Sequence, residues 1–300
     1  MFPVLLALGP ITISSLGFCI VLAFIFGSFL FWRKAKEEHL EDQDIFDLIF
    51  LCFFGGLVGS RLTYILLNFT DFGFNLGKWI NLGFNNHFSW LGFLFGMMIM
   101  AKLITDKKKL DWFFVLDLAT FSFIISQIIF RLGQFLDGSY LGLATDLPFG
   151  IYVPGLEVKT HPVAIYEIIL LIMTYFLIKW FDNQYRLFTW YQDARGKANP
   201  GFLFLTYLLM FALIDFSLDF FMPQTWRLFI FSQNQMVLFF FMILVILGFY
   251  SRTGKDIVPK FLTGIFSKKE ELEPIRPAVS SPDQVLTENH RRIRRFERNK

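Results

Sequence analysis

Ionisable side chains that could do chemistry lie inside long apolar stretches of this 300-residue sequence. An arginine guanidinium is planar and can donate two parallel hydrogen bonds to a phosphate, whereas a histidine or a carboxylate can accept a proton. The set holds two arginines, three carboxylates and one histidine: Arg61, Arg131, Glu167, Asp215, Asp219 and His161. These residue types could bind an anionic group and move a proton beside it.

Two interpretations of this set stay open when only the residue types are considered. Asp215 and Asp219 are four residues apart and would share one face of a helix, so ion pairs with the arginines could simply hold helices together. Alternatively, the side chains could line a polar cavity that receives an anionic lipid headgroup, because ionisable residues at membrane depth usually face a bundle interior or a cavity. Cys19 and Cys52 lie in apolar runs and are too few for a disulfide framework or a metal site.

The elements that must position these residues are predicted to be transmembrane helices. The sequence is 55% hydrophobic, above the roughly 45–50% of soluble proteins, which argues against a soluble enzyme. About 20 apolar residues cross a bilayer as a helix, whose backbone satisfies its own hydrogen bonds. Seven windows qualify: 11–32, 45–68, 88–104, 112–130, 162–181, 201–221 and 228–250. We therefore expect an all-α, polytopic membrane protein of about seven transmembrane helices.

The positions of the basic residues predict how these helices are oriented. Of the 28 Lys and Arg residues, 23 fall in segments on one side of a seven-helix serpentine: 33–44, 102–109, 179–197 and 251–300. An excess of Lys and Arg marks the cytoplasmic side of a membrane protein. The N-terminus is therefore predicted to lie outside and the C-terminus in the cytoplasm, which places the ionisable set in the outer half of the membrane.

The chain is predicted to divide into a membrane domain and a tail. Residues 1–265 form the seven-helix domain, with outer connections at 69–87 and 131–161. Residues 266–300 are charged and contain several prolines, a composition typical of a disordered cytoplasmic tail. No Lys or Arg precedes the first apolar segment, so we interpret it as a retained helix rather than a signal peptide.

One stretch carries a more specific pattern. Residues 130–155 read FRLGQFLDGSYLGLATDLPFGIYVPG, and residues 160–167 read THPVAIYE. The order of the arginine, the glycines, TDLP and the later HP and YE pairs resembles the bacterial prolipoprotein diacylglyceryl transferase family. The sequences LGP, GSRLTY, DFF and SQNQ are similar to further motifs of that family and stand at 8–10, 59–64, 219–221 and 232–235. The resemblance covers about residues 5–250.

The resemblance implies a reaction and a cellular setting. Members of the family transfer a diacylglyceryl group from phosphatidylglycerol to the lipobox cysteine thiol of a preprolipoprotein, and glycerol phosphate leaves. The expected protein is a multi-pass component of the bacterial cytoplasmic membrane that acts at the outer leaflet. Its expected partners are phosphatidylglycerol, lipobox peptides and membrane lipids. No metal, organic cofactor or nucleic acid is implied.

The family motif also suggests which residues hold the substrate. It makes Arg131 the candidate ligand of the headgroup phosphate. Gln134 could donate and accept hydrogen bonds beside it, and Arg61 is a second candidate charge. Gly133 and Gly142 are expected to provide tight backbone geometry near the substrate.

Three residues are candidates for catalysis. His161 could act as a base, although its position just before Pro162 at a helix start also suits a capping or loop-anchoring role. Glu167 could take part in the reaction or could orient the outer loop. Asp219 could position a hydrogen-bond donor.

Several family positions carry different residues in this chain. In an ungapped alignment, Leu16, Leu91, Ser139 and Asp215 stand where the family has tyrosine, histidine, glutamate and arginine. One positive charge thus becomes negative, and a candidate base is missing. A second interpretation therefore stays open, in which the protein is a relative that binds anionic lipid or lipoprotein precursors without catalysis. A small-solute transporter is disfavoured, because the sequence has neither an internal repeat nor a helix pair broken by Gly or Pro at the midplane.

Overall fold

The computed structural model describes residues 3–8, 11–80, 89–152, 158–192, 198–223, 227–228 and 230–253. The α-helices in these ranges are α1 (Ser15–Glu37), α2 (Asp42–Leu67), α3 (Phe69–Phe72), α4 (Leu76–Ile80), α5 (Trp90–Lys108), α6 (Trp112–Asp137), α7 (Val163–Gln184), α8 (Phe202–Leu218) and α9 (Gln233–Arg252). Short 3-10 turns span Tyr185–Leu187, Thr189–Tyr191 and Asp219–Phe221. The strands are β1 (Val4–Leu8), β2 (Ile11–Ser14), β3 (Ile151–Tyr152), β4 (Lys159–Thr160), β5 (Arg227–Leu228) and β6 (Phe231–Ser232), and they form three separate antiparallel pairs. The all-α prediction is confirmed.

Six of the described helices are long and apolar enough to cross a membrane. These spans are Ser15–Glu37, Asp42–Leu67, Trp112–Asp137, Val163–Leu187, Phe202–Phe221 and Gln233–Arg252. The remaining predicted window, 88–104, is also helical as α5, but four charged residues in its last two turns shorten its apolar part. They are Lys102, Asp106, Lys107 and Lys108. Among the described residues, six helices therefore meet the criteria for a membrane span, and α5 occupies the seventh predicted window, in keeping with a polytopic membrane protein.

Two pairs of helices pack most extensively, α2 against α5 and α1 against α6. In the first pair, a Cβ atom added to Gly59 would lie 2.5 Å from the carbonyl oxygen of Gly92. In the second pair, a Cβ atom added to Gly133 would lie 2.6 Å from Cβ of Cys19. Small residues allow this close approach, on which helix association in a membrane depends because lipid is as apolar as the helix surface.

The helices α6, α7 and α8 pack together and carry the ionisable residues at one end. Asp117 of α6 sets the position of α8, because its carboxylate accepts hydrogen bonds from the backbone N–H groups of Gly201 at 2.6 Å and Phe204 at 2.9 Å. A side chain of α6 thus caps the N-terminus of α8. At its other end, α6 stops at Gly138, whose φ of 79° is a left-handed conformation that glycine adopts without strain.

Some boundaries differ from the prediction. Helix α6 continues to Asp137 instead of ending near residue 130, so Arg131 lies on its last two turns and the outer connection starts later than residue 131. In the connection predicted at 69–87, residues 69–80 contain α3 and α4, and the rest falls outside the described residues. The predicted tail at 266–300 also falls outside them. All the helices and strands above belong to the unit Met1–Val258; the second unit is Pro259–Lys300.

Candidate functional site

Arg131 lies near the end of α6, within a cluster of polar side chains. Its Nε atom lies 2.7 Å from Oε1 of Glu167 on α7, and its Nη1 atom donates a hydrogen bond of 2.6 Å to Oε1 of Gln134. The guanidinium carbon lies 4.2 Å from the ring centre of Tyr140, a distance that suits a cation–π contact. The side chain keeps 13% of its surface exposed. The protein therefore holds the guanidinium on most sides and leaves a small part of the side chain accessible.

Glu167 is the fully buried partner of this arginine. Its Oε1 atom also accepts a hydrogen bond of 2.9 Å from Nε2 of Gln127, and Oε1 of Gln127 accepts one of 2.8 Å from the Tyr207 hydroxyl. A buried charge is tolerated only when it is paired and hydrogen-bonded. This chain of contacts meets that need across α6, α7 and α8, and through it Glu167 orients Arg131.

Asp215 of α8 places a second carboxylate beside the same arginine. Its Oδ1 atom lies 4.0 Å from Nη2 of Arg131, beyond hydrogen-bond distance, and accepts no hydrogen bond from the part of the chain that the structure describes. Two carboxylates therefore share one guanidinium. Within the described ranges, no three His, Cys, Asp or Glu side chains are grouped so that they could hold a metal ion.

Tyr140 follows the end of α6 and covers the guanidinium. Burial raises the pKa of its hydroxyl well above the ordinary value, and the neighbouring positive charge of Arg131 offsets only part of this rise. The phenol therefore stays protonated near neutral pH. It can donate a hydrogen bond in the cluster but cannot serve there as a base.

His161 stands at the junction of the outer connection and α7. Its Nδ1 atom lies 3.3 Å from the Tyr166 hydroxyl, and its ring centre lies 5.1 Å from that of Phe221. Its backbone N–H donates to the carbonyl of Leu143, and its carbonyl accepts from the N–H of Gly142, both at 3.0 Å. These contacts are those of a residue that anchors the connection to the helix end.

Mostly apolar side chains around His161 line an open pocket of about 410 Å³. The lining residues are Leu147, Phe149, His161, Tyr166, Leu218 and Phe221. The volume falls within the range of small-molecule sites. Tyr166 directly precedes Glu167, and Phe221 follows two residues after Asp219, so an apolar pocket accompanies the polar residues at this end of the helices.

Asp219 is buried where the chain passes from α8 toward α9. Its carboxylate accepts hydrogen bonds from the Ser232 hydroxyl and, at 3.1 Å, from Nδ2 of Asn234. Ser232 also begins α9 through a capping box with Gln235. These contacts fasten the end of α8 to the start of α9.

Arg61 contacts a different segment from Arg131. It is buried on α2 and donates hydrogen bonds to the carbonyl groups of Trp79 at 3.2 Å and Lys78 at 3.5 Å. Its guanidinium carbon lies 5.3 Å from the ring centre of Phe72. The described contacts of Arg61 thus join α2 to the short helices α3 and α4, whereas Arg131 contacts α7 and α8.

The two candidate glycines lie at close approaches of the backbone. Gly133 faces Cys19 where α6 crosses α1. A Cβ atom added to Gly142 would lie 2.8 Å from the carbonyl oxygen of Phe221 and 2.8 Å from Cβ of His161. Any larger residue at Gly142 would push the outer connection away from the end of α8.

Three residues of the cluster, Gln127, Tyr140 and Tyr207, were not among the candidates from sequence. Gln127 stands one helical turn before Arg131, so an i, i+4 comparison on α6 could have found it. Tyr207 lies two turns before Asp215 on the same face of α8. Tyr140 follows the helix end, and its position over the guanidinium leaves no signal in the sequence pattern.

Comparison with known proteins assigns the chain to a family. The model of the family "Prolipoprotein diacylglyceryl transferase" matches residues 3–251. Two similar proteins are named phosphatidylglycerol–prolipoprotein diacylglyceryl transferase. The one from Geobacter sulfurreducens is 28% identical over 224 residues, 73% of this chain and 81% of the relative. The one from Aliarcobacter butzleri is 31% identical over 231 residues, 73% of this chain and 80% of the relative. This chain belongs to the prolipoprotein diacylglyceryl transferase family.

Proposed function

We propose that this protein transfers a diacylglyceryl group from phosphatidylglycerol to the lipobox cysteine thiol of prolipoproteins. The observation that carries the proposal is the family match over residues 3–251, which spans all six candidate membrane helices. The relatives named above carry this activity in their names and share most of their length with the chain.

The reaction sets three physical requirements. The thiol sulfur attacks the glycerol carbon that bears the phosphate, the carbon–oxygen bond breaks, and glycerol phosphate leaves. A cation must hold the phosphate, because negative charge builds up on it as the bond breaks. A proton acceptor must take the thiol proton, because the thiolate is the nucleophile. The site must also open to the bilayer, since one substrate is a lipid.

Arg131 is the residue that would hold the phosphate. Support comes from its contacts: Glu167 and Gln134 fix one side of the guanidinium, while among the described residues Nη2 has only the 4.0 Å contact with Asp215. A phosphate oxygen could approach this Nη2 edge without displacing Glu167. Such a preformed donor loses little conformational freedom on binding, which favours affinity.

The site would work at the outer leaflet of the bacterial cytoplasmic membrane. The distribution of Lys and Arg supports this placement, because the basic segments follow α1, α5, α7 and α9, and the positive-inside rule assigns those ends to the cytoplasm. The opposite ends of α6, α7 and α8, which carry Arg131, Glu167 and Asp215, then face the outside.

A reconstituted assay tests the activity. The purified protein in proteoliposomes receives phosphatidylglycerol and a lipobox peptide, and mass spectrometry measures the peptide. We expect a mass increase of one diacylglyceryl group, with glycerol phosphate released in equal amount. A peptide with serine in place of cysteine is the control and should stay unmodified. Retained binding of phosphatidylglycerol without product would contradict the proposal and identify a non-catalytic lipid-binding relative.

A further inference from the structure

The cluster around Arg131 contains two carboxyl groups, which can each carry a negative charge, and one positively charged guanidinium. Glu167 and Asp215 both face the one guanidinium, at 2.7 Å and 4.0 Å. The other polar groups that complete the cluster are neutral: Gln127 and Gln134 on α6, Tyr140 in the outer connection, and Tyr207 on α8. When a phosphate joins Arg131, the excess of negative charge grows, and uptake of one proton would relieve it.

The two carboxylates differ in what they are free to do. Glu167 is fully buried, and its Oε1 atom contacts both Arg131 and Gln127. Asp215 keeps 18% of its side chain exposed, and its buried Oδ1 atom accepts no hydrogen bond from the described residues. Oε2 of Glu167 also lacks a hydrogen-bond partner among the described residues, but Glu167 has no exposed surface at which a thiol could approach it, whereas the carboxylate of Asp215 can be approached from its exposed side.

Two further candidate acceptors in this region make other contacts. The Asp219 carboxylate accepts from Ser232 and Asn234. The ring of His161 contacts Tyr166 and the apolar pocket. Among the groups at this end of the helices, Asp215 combines an unpartnered oxygen, partial exposure and proximity to the candidate phosphate ligand.

We infer that Asp215 is the general base that accepts the proton of the lipobox thiol; this inference rests on the proposed transferase activity. The S–H proton moves to the carboxylate of Asp215, and the sulfur forms a bond to the phosphate-bearing carbon of the lipid. The carbon–oxygen bond breaks, and its electron pair leaves on the phosphate of glycerol phosphate. The protonated carboxyl then returns the proton to that phosphate, so that charge and atoms balance without a further reactant.

A general base at this position would explain why Asp215 stands where the family has an arginine. Phosphate on Nη2 of Arg131 would lie next to Oδ1, within a few ångströms of the carbon under attack. A base this close to the phosphate could return the proton directly to the leaving group.

The test compares Asp215→Asn, Asp215→Glu and Asp215→Arg with the unaltered protein, in the proteoliposome assay with phosphatidylglycerol and a lipobox peptide. The rate constant at saturating substrate is measured from pH 5 to 9. We expect Asp215→Asn to lower it by about 100-fold or more and to abolish the fall in rate on the acid side. Asp215→Glu should keep that acid-side fall, with a smaller loss of rate. Asp106→Asn, an exposed ion-pair residue of α5, is the matched control and should be unchanged.

Three outcomes would overturn the inference. The first is an Asp215→Asn protein whose rate constant depends on pH as in the unaltered protein, whatever its affinity for lipid. Asp215 would then only neutralise the charge of Arg131. The second is a gain in rate in Asp215→Arg, because the position would then serve anion binding. The third applies if Asp215→Asn does not fold: an Asp215→Glu protein whose rate constant no longer falls at low pH would overturn the inference as well. If the unaltered, folded protein forms no thioether, the proposed function itself fails.

Discussion

Oε1 of Glu167 lies 2.7 Å from Nε of Arg131, and the carboxylate is completely buried. The two residues belong to different helices, so their ion pair sets both the rotation of α7 against α6 and the direction of the guanidinium. Because Gln127 and Tyr207 extend the contact to α8, the pair is the centre of a network and not an isolated bridge.

Glu167→Gln tests this network. The substitution keeps the shape of the side chain but leaves Arg131 without its closest countercharge, and removal of one partner of a buried pair typically costs about 3–5 kcal/mol. We expect a clearly lower unfolding temperature in detergent and a reduced kcat/KM. Glu37→Gln, in an exposed pair near the end of α1, should change stability little. Equal unfolding temperatures for the two variants would show that the buried pair does not stabilise the fold.

Asp117→Ala removes the cap that α6 supplies to α8. The backbone N–H groups of Gly201 and Phe204 would lose their acceptor, which should destabilise the protein by about 2 kcal/mol. The rate should fall too, since α8 carries Tyr207 and Asp215. The control is Asp111→Ala, which removes an exposed cap within α6 itself. Thermal unfolding and the thioether assay measure both effects, and a loss of stability no larger than in the control would contradict this role of Asp117.

Gly59→Ala tests the contact between α2 and α5. The new methyl group would meet the carbonyl oxygen of Gly92 at 2.5 Å, so the helices must move apart, and overpacking of this kind costs about 1–3 kcal/mol. Gly248→Ala on α9 is the control, because its nearest neighbour is the end of the Leu205 side chain at 3.2 Å. Thermal unfolding should show a larger loss for Gly59→Ala; the reverse order would mean that the α2–α5 contact is not close-packed.

Labelling of single cysteines tests the orientation. In a protein with Cys19 and Cys52 replaced by alanine, we expect Asp146→Cys in the outer connection to react with a membrane-impermeant maleimide in intact cells. Lys109→Cys, after α5, should react only once the membrane is opened. Both positions are exposed, so the side of the membrane decides the outcome. The opposite pattern would place Arg131 at the cytoplasmic leaflet and contradict the proposed site of action.

The helices could be predicted from sequence because a membrane span depends on length and apolarity, which local composition records. The same reasoning placed Arg131, Glu167 and Asp215 at one end of neighbouring helices, and the structure brings these three together. The end of α6 was predicted too early because the charged residue Arg131 appeared to close the apolar run. Its charge is instead paired inside the helix bundle, so the helix continues to Asp137.

The contacts between helices could not be predicted in the same way. Spacing along the chain gives the depth of a residue, but it does not give the rotation of each helix or the identity of its neighbours. Arg61 was therefore named as a second candidate charge beside Arg131, although its described contacts include the carbonyl groups of Lys78 and Trp79. Asp219 was named as a catalytic candidate and Asp215 was not, although Asp219 contacts Ser232 and Asn234 and Asp215 lies near Arg131.

Binding of phosphatidylglycerol to Arg131→Lys tests the phosphate role of this arginine most directly. Lysine keeps the positive charge but cannot present the paired donors of a guanidinium. Affinity is measured for phosphatidylglycerol and for diacylglycerol, which lacks the phosphate, with Arg186→Lys as the control at an exposed ion pair. We expect the unaltered protein and the control to prefer phosphatidylglycerol, and Arg131→Lys to lose at least about tenfold of that preference, or about 1.4 kcal/mol. An unchanged preference in Arg131→Lys and in Arg131→Gln would show that this guanidinium does not bind the lipid phosphate.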